Sequence, residues 1–340
     1  MSGARAGARP GERRGRRLLV RLRRNRLWLS VAGALLVVVI AGAALGHILR
    51  ELDWAEVGAA LGAISAGQLL AALVLTALSY LLLSGYDMLA LAAMGRRLPW
   101  WRCALGAFSA YSFSHNLGLA PVTAGAARWR AYAGTGLLAA DIARIVVIAG
   151  VTYWLGIFLL LGLFLVGHRG ALRVEDVTVS HPVQVALGIG VLGAILLYLL
   201  ACARQRGPLV LLGWQLPVPT VRQALAQFLL AAADIALASA ALLVLLPADF
   251  WPHYPGLLVA YVVAVVVALV THAPGGLGVF ETVMLVTLPG IDRPELVSAL
   301  ILYRLVYYWL PFGTAVLLLG GREALRFRAT PFTPDKGARA

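Results

Sequence analysis

Four ionisable residues interrupt otherwise apolar segments, and they are the first candidates for chemistry: Asp87, Asp234, Glu281 and Arg304. Such a side chain costs about 3 kcal/mol to insert into a membrane, so it is functional and partnered by default. The short connection 289–294 folds the segments of Glu281 and Arg304 side by side, which predicts an ion pair; a purely structural clamp is the alternative. Asp87 lies close enough to the end of its segment to reach lipid headgroups, and Asp234 has no partner visible in the sequence.

Two polar stretches break the apolar regions 103–127 and 256–289. The first reads Ser-His-Asn-Leu-Gly at 114–118, and the second reads Thr-His-Ala-Pro-Gly-Gly-Leu-Gly at 271–278. Broken helices in corresponding places of two oppositely oriented halves are typical of transporters, whose site lies near the membrane midplane. The alternative is two unrelated kinks in a helical bundle.

Histidines occupy matching positions in these stretches, as His115 and His272. They could relay protons near neutral pH, with Asp234 as a third relay group, although a hydrogen-bonded core histidine is commoner. Two histidines are too few for a metal site, and no nucleotide-binding or zinc motif occurs, so we expect no metal and no cofactor. Cys103 and Cys202 are expected to be small buried side chains.

Arg128 and Arg130 flank Trp129 directly after the first polar stretch. Arginine suits bidentate binding of phosphate, so this cluster could hold a phospholipid headgroup. Simple anchoring by positive charge is the alternative.

The composition identifies the elements that must position these residues. Of 340 residues, 61% are hydrophobic and only 13% are charged, against about 25% charged in soluble domains. This excludes a water-soluble enzyme. Residues 1–26 hold ten arginines and one acid, so much of the net charge lies in a tail. A nucleic-acid-binding protein would carry its basic residues on a folded face, and no nucleic-acid partner is expected.

Spanning a bilayer takes about 20 apolar residues, and six segments meet this length: 27–49, 68–94, 141–167, 183–203, 222–246 and 295–320. If 103–127 and 256–289 are hairpins that return to their own side, the inner loops hold nine arginines against one acid, and the outer loops four against eight. Positive loops stay in the cytoplasm, which places both termini there.

The predicted fold is therefore an all-α polytopic membrane protein, a helical bundle of six full spans plus two re-entrant hairpins, about eight helices in all, with an inverted repeat. Residues 50–67 are predicted to form an amphipathic helix on the outer surface. The predicted domains are a basic cytoplasmic tail (1–26), a membrane domain (27–320) and a second basic tail (321–340).

Two motifs carry a resemblance to a known family. Residues 112–118 with 128–132, and 272–281 with 303–308, resemble the membrane domain of lysylphosphatidylglycerol synthases over roughly 27–321. In that family the domain flips aminoacylated phosphatidylglycerol from the inner to the outer leaflet of the bacterial plasma membrane. A separate C-terminal domain makes the lipid, and this chain is expected to lack it and to have no enzymatic activity of its own.

The resemblance assigns headgroup binding to two groups of residues: Asn116, Gly125, Arg128 and Arg130 facing the cytoplasm, and Pro274, Gly275, Gly276, Glu281 and Arg304 on the opposed hairpin. Alanines at 124, 126 and 127 stand where glycines are usual in the family, which narrows the expected headgroup pocket. The expected partners are membrane lipids and a separately encoded aminoacyl-lipid synthase, and glycine-rich helices also permit a homo-oligomer.

Three other functions stay open at this stage. The protein could be an accessory subunit for a separately encoded synthase or glycosyltransferase, or a transporter of an isoprenoid or glycolipid. It could also be a membrane-embedded lipid-modifying enzyme with Glu281 or His272 as general base.

Overall fold

The computed structural model describes residues 53–329 apart from 170–171, 175–176, 205–206, 212–213 and 289, together with the single positions 43, 46 and 50. The predicted span 27–49 and the tail 1–26 fall outside this continuous part, and the tail 321–340 is described only to residue 329.

The described chain is helical except for two short β-hairpins in the connections. The helices are α1 (Trp54–Ala63), α2 (Ala66–Ala93), α3 (Trp100–Leu117), α4 (Ala120–Ala131), α5 (Ala139–Gly167), α6 (His181–Arg204), α7 (Val221–Leu243), α8 (Tyr254–Thr271), α9 (Val279–Thr287), α10 (Arg293–Tyr303) and α11 (Leu310–Ala329). Short 3-10 helices cover Ala248–His253 and Pro274–Gly276, and a π-helix covers Arg304–Trp309.

Six of these segments are long and apolar enough to cross a membrane: Ala66–Ala93, Ala139–Gly167, His181–Arg204, Val221–Leu243, Ala248–Thr271 and Arg293–Arg322. The protein is a polytopic helical membrane protein, which confirms the predicted fold class. Five of the six predicted spans coincide with these helices. Local sequence fixes two of the starts, since Ser65 with Gln68 and Thr220 with Gln223 form capping boxes that satisfy the first free N–H groups of α2 and α7.

Interhelix contacts sort the helix ends into two groups. At one end, Gln68 donates to the carbonyl of Leu246 at 3.3 Å, and Ser298 donates to the carbonyl of Val57 at 3.0 Å. We call this the α1 end. At the other, Arg96 lies 3.5 Å from Asp141, and Arg322 donates to the carbonyl of Ala131 at 3.0 Å. We call this the Asp141 end.

The two broken regions are helical hairpins that approach from opposite ends. Helix α3 begins directly after α2 at the Asp141 end, and α4 ends there. Helix α8 begins after α7 at the α1 end, and α9 ends there, just before α10. Each region thus returns to the end at which it starts, as a hairpin should, although Ala248–Thr271 is itself long enough to cross a membrane; re-entry into the membrane stays a prediction. A sequence-level repeat of the two halves stays a prediction.

The core runs between α2 and α7, where Leu83, Tyr86, Ala231 and Ile235 are buried. Helix α6 is peripheral, because only Gln184, Gly188 and Cys202 of its residues are buried. Helix α1 confirms a helix within 50–67, and it packs on α10 through Val57.

The sequence did not predict the β-hairpins, which pair Leu172–Val174 with Val177–Val179 and Trp214–Leu216 with Leu209–Leu211. Each hairpin consists of two three-residue strands and lies in a connection between two spans.

Candidate functional site

The tips of the two hairpins touch through their backbones. A Cβ atom added to Gly118, between α3 and α4, would lie 3.2 Å from Cα of Pro274. One added to Gly275 would lie 3.2 Å from the carbonyl oxygens of both His115 and Asn116. Both glycines have positive φ, of 69° and 62°, which other residues adopt at a cost. Glycine is therefore needed at each tip for conformation and for close approach.

A cavity of about 480 Å³ lies beside this contact. Of the predicted site residues, His115, Arg128, Asp234, His272, Gly275 and Gly276 line it. Its wall also includes five tyrosines from four elements: Tyr111, Tyr153, Tyr261, Tyr307 and Tyr308.

The cavity opens sideways between α4, α5 and α8. The lining side chains Leu119, Trp154 and Val270 are 58, 37 and 64% exposed. Trp154 lies near the middle of α5, and the other two lie at the hairpin tips. The opening is therefore at mid-height and apolar, whereas the largely apolar inner wall carries the polar groups of Arg128, Asp234 and the tyrosines.

Arg128, which lines the inner wall, forms a buried ion pair with Asp87 behind it. Arg128 Nε lies 2.9 Å from Asp87 Oδ2, and Nη2 lies 2.7 Å from Oδ1. The two residues are 2% and 0% exposed, and the hydroxyl of Tyr132 also donates to Asp87. The expectation that Asp87 reaches lipid headgroups is therefore wrong, because it is held inside the protein by Arg128.

The proposed cluster of Arg128, Trp129 and Arg130 is divided by helix geometry. Successive residues of a helix point about 100° apart, so residues 128 and 130 face nearly opposite ways. Arg128 is buried, whereas Trp129 and Arg130 are exposed and do not line the cavity. The three residues cannot form one headgroup site; only Arg128 is in a position to contact a molecule in the cavity.

Arg304 holds the tip of the second hairpin. Its Nε lies 2.5 Å from Glu281 Oε1, which confirms the predicted pair. Its Nη1 donates to the carbonyl of Gly275, and its Nη2 donates to that of Gly276 at 3.2 Å. The guanidinium thus supplies the donors that the broken helix needs at membrane depth. Arg304 and Glu281 line a second, smaller cavity of about 170 Å³ toward α1, with Trp54 at its edge.

Asp234 has hydroxyl partners that the sequence did not identify. Ser79 donates to its Oδ1 at 2.5 Å, and Tyr86 donates to its Oδ2 at 3.2 Å. Ser79 also shares a hydrogen bond of 2.9 Å with the hydroxyl of Tyr307. Hydroxyl side chains recur along α2 at spacings of three, four and seven residues, which places them on one helix face (Thr76, Ser79, Tyr80, Tyr86). This pattern was the signal that could have indicated the contact.

The two histidines occupy different environments. His115 is in the last turn of α3, stacked on Tyr307 at 6.1 Å between ring centroids and flanked by Tyr80, Tyr111 and Tyr308. His272 is exposed, ends α8 with a φ of 54°, and its Nδ1 lies 2.9 Å from the carbonyl of Val270. Their matching positions in the sequence therefore do not give them matching surroundings.

The remaining predicted residues act on the hairpins themselves. Asn116 donates to the carbonyl of Tyr308 at 3.1 Å, joining the first tip to the π-helix. Pro274 begins the 3-10 turn of the second tip. Gly125 lies on α4 near Val146 of α5. These residues shape the cavity without lining it. Within the described ranges, no three His, Cys, Asp or Glu side chains are grouped as a metal site would require.

Comparison with known proteins agrees with this architecture. Residues 27–314 match the family described as the lysylphosphatidylglycerol synthase TM region. The uncharacterized protein slr0712 of Synechocystis sp. is 34% identical over 304 residues, which cover 88% of this chain and 92% of the relative. Inner membrane protein YbhN of Escherichia coli is 30% identical over 309 residues, or 89% and 93% of the two chains.

A shorter match connects the chain to a named enzyme. A phosphatidylglycerol lysyltransferase of Staphylococcus epidermidis is 40% identical over 60 residues, which are 17% of this chain and 7% of the relative. The family match and the two long relatives confirm the family that the polar motifs indicated. This multi-pass membrane protein therefore belongs to the family of the lysylphosphatidylglycerol synthase TM region.

Proposed function

We propose that this protein moves a polar lipid between the two leaflets, with aminoacylated phosphatidylglycerol or a related phospholipid as cargo, and makes no covalent change to it. The observation that carries this proposal is the cavity of about 480 Å³ at the hairpin tips, which opens sideways through an apolar rim and has Arg128, Asp234 and five tyrosines in a largely apolar wall. A lipid can place its headgroup in such a cavity while its acyl chains stay in the bilayer.

The size and chemistry of the cavity suit this role. Ligand sites are commonly about 300–1,000 Å³ in volume. A charged headgroup alone in hydrocarbon costs many kcal/mol, and the ionisable and hydroxyl groups on the wall offset part of this cost. The rim residues Leu119, Trp154 and Val270 are apolar and exposed, as contact with acyl chains requires.

Two ionisable side chains on the wall suit a headgroup that carries both signs, and the first of them, Arg128, would hold a phosphate while it stays paired with Asp87. Arg128 lines the cavity with its guanidinium 5.3 Å from the ring centroid of Tyr111, and Asp234 supplies a carboxyl group on another helix. An aminoacylated phosphatidylglycerol has a phosphate for the first and an ammonium for the second. The name of the staphylococcal relative, a phosphatidylglycerol lysyltransferase, points to the same lipid class.

The two hairpins suggest how access alternates. They enter from opposite ends and meet at Gly118 and Gly275, beside Arg304. Arg304 reaches carbonyls of the central cavity's wall and also lines the smaller cavity toward α1. Movement of one hairpin past the other would expose the headgroup first to one leaflet and then to the other. We place the Asp141 end in the cytoplasm, as the loop charges predict.

The test is the leaflet accessibility of a fluorescent aminoacylated phosphatidylglycerol in proteoliposomes. We expect the wild type to exchange the probe between leaflets much faster than protein-free liposomes, and Arg304→Ala or Arg128→Ala to slow it at least tenfold. Arg222→Ala is the control, because Arg222 is an exposed residue of α7 far from the cavity lining. Exchange no faster than in protein-free liposomes, or unaffected by both cavity substitutions, would contradict the proposal.

A further inference from the structure

We propose that Asp234 is a proton-binding site, and that the protein exchanges a proton for its cationic headgroup. This inference rests on the proposed lipid transport and adds its driving force. It starts from the position of Asp234, a carboxyl group that lines the central cavity and is only 3% exposed.

Asp234 differs from the other buried acids in having no basic partner. Asp87 is paired with Arg128, and Asp141 lies beside Arg96 and Arg144. Asp234 receives only hydroxyl hydrogen bonds, from Ser79 and Tyr86. Within the part of the chain that the structure describes, no Arg, Lys or His lies in salt-bridge contact with it.

Among the described residues, the titratable groups that interact with Asp234 are tyrosines. They come from five elements: Tyr80 and Tyr86 from α2, Tyr111 from α3, Tyr153 from α5, Tyr261 from α8 and Tyr307 from the π-helix. The other ionisable groups in the cavity wall are His115, His272 and Arg128, and Arg128 is already neutralised by Asp87. Burial without a counter-charge disfavours an ionised carboxyl group, so Asp234 is suited to hold a proton when the cavity is empty.

A polar route leads away from Asp234 along the hydroxyls. Ser79 bonds to both Asp234 and Tyr307, and the ring of Tyr307 stacks on His115. The Nδ1 atom of His115 is buried and has no hydrogen-bond partner among the described residues; the hydroxyl of Ser109, nearly two turns earlier on α3, is in the same condition. Buried polar atoms of this kind are satisfied by ordered water, which also conducts protons.

For a headgroup of net charge +1, such as a lysylated one with two ammonium groups and one phosphate, the exchange is balanced in charge and atoms. Only the O–H bond of the Asp234 carboxyl group breaks and forms. When the proton leaves to water on one side, the carboxylate can bind the ammonium of a headgroup, assisted by the surrounding aromatic faces. When a proton returns from the other side, Asp234 becomes neutral and the headgroup is released there. One proton thus moves opposite to one cationic headgroup, toward the less acidic side.

The test is headgroup exchange in proteoliposomes with and without an imposed pH gradient. We expect the wild type to move a fluorescent aminoacylated phosphatidylglycerol several-fold faster toward the more acidic side, and the ratio of the two rates to fall to one in Asp234→Asn. Asp249→Asn is the matched control, because Asp249 is exposed in the connection between α7 and α8. Exchange by the wild type that ignores the gradient would overturn the proton site and leave lipid transport standing. No exchange by the wild type would instead overturn the transport function.

A second measurement tests proton binding by Asp234 directly, and it can be made even if the Asp234→Asn variant does not transport lipid. Infrared titration of the purified wild type should show a protonated carboxyl group near neutral pH, absent in Asp234→Asn and present in Asp249→Asn. Ser79→Ala removes a hydrogen bond that favours the charged form, so the same signal should persist to higher pH. A wild-type protein with no such signal, or one that Asp234→Asn leaves unchanged, would overturn the proposal.

Discussion

The two arginines buried in the described bundle, Arg128 and Arg304, differ in how far the sequence could predict their partners. Glu281 and Arg304 are joined by a short connection, so their contact followed from chain length. Asp87 and Arg128 lie 41 positions apart on α2 and α4, and nothing local links them. Asp234 was recognised as unusual, yet its hydroxyl partners depend on how α2 packs on α7. The residue types thus indicated which side chains belong to the candidate site. Most of their partners could be identified only from the packing of the helices.

At the residue scale we predict that loss of one member of the Asp87–Arg128 pair destabilises the protein more than loss of both members. Arg128→Met leaves a buried carboxylate alone, which costs roughly 3–5 kcal/mol. The double variant Asp87→Leu with Arg128→Met removes both charges and should recover most of that loss, while lipid exchange stays impaired. Thermal unfolding of the purified protein in detergent measures the stabilities. An Arg128→Met protein as stable as wild type, or a double variant no better than the single one, would refute the prediction.

At the scale of elements, the hairpins were visible in the sequence because Gly, Pro and polar residues interrupt apolar helices. The second break falls at His272–Gly276 as predicted, whereas the first falls at Gly118 and Leu119, at the very end of the polar stretch 114–118. The π-helix at Arg304–Trp309 had no sequence signal that we recognised. Its carbonyls are held from outside, by Tyr80 and Asn116, so it depends on contacts between distant segments.

At the scale of elements we predict that the stability of the protein depends on glycine at the hairpin tips. Gly275→Ala should destabilise the protein by at least about 1–2 kcal/mol, because alanine is strained in a left-handed conformation and its Cβ would crowd the carbonyls of His115 and Asn116. Gly256→Ala, in the same hairpin, meets no atom within 4 Å and lies in a helix, so it should be neutral or stabilising by roughly 0.5–1 kcal/mol. Detergent unfolding compares the two. Equal effects would show that the tips do not need their close contact.

For the whole molecule, the sorting of charges among loops predicted the hairpins and hence the topology. The central cavity could not be predicted from the sequence, because it depends on how α4, α5 and α8 pack around the two hairpin tips and leave a gap between them. The β-hairpins in the loops were not predicted for a different reason. Strands of three residues carry too little sequence pattern to be distinguished from an irregular connection.

Orientation in the membrane gives the prediction for the whole molecule. A cysteine at Trp129, which is 52% exposed near the Asp141 end, should react with an impermeant maleimide only from the cytoplasm. A cysteine at Glu56, exposed on α1, should react only from outside. The native Cys103 and Cys202 are buried, so background labelling should be low. Labelling of intact and opened cells distinguishes the sides, and the reverse pattern would invert the proposed topology.

The measurement that tests the central claim most directly is lipid exchange after the cavity is filled. Gly150 lines the cavity from α5 and is exposed, and a Cβ there meets no atom within 4 Å, so a larger side chain can start from this position and Gly150→Trp is designed to fill the opening. Val151, the next residue, is 44% exposed on the outer face and takes the same tryptophan away from the cavity. We predict that Gly150→Trp lowers exchange of fluorescent aminoacylated phosphatidylglycerol in proteoliposomes at least tenfold and that Val151→Trp leaves it near wild type. Equal exchange by the two variants would show that the lipid does not pass through this cavity.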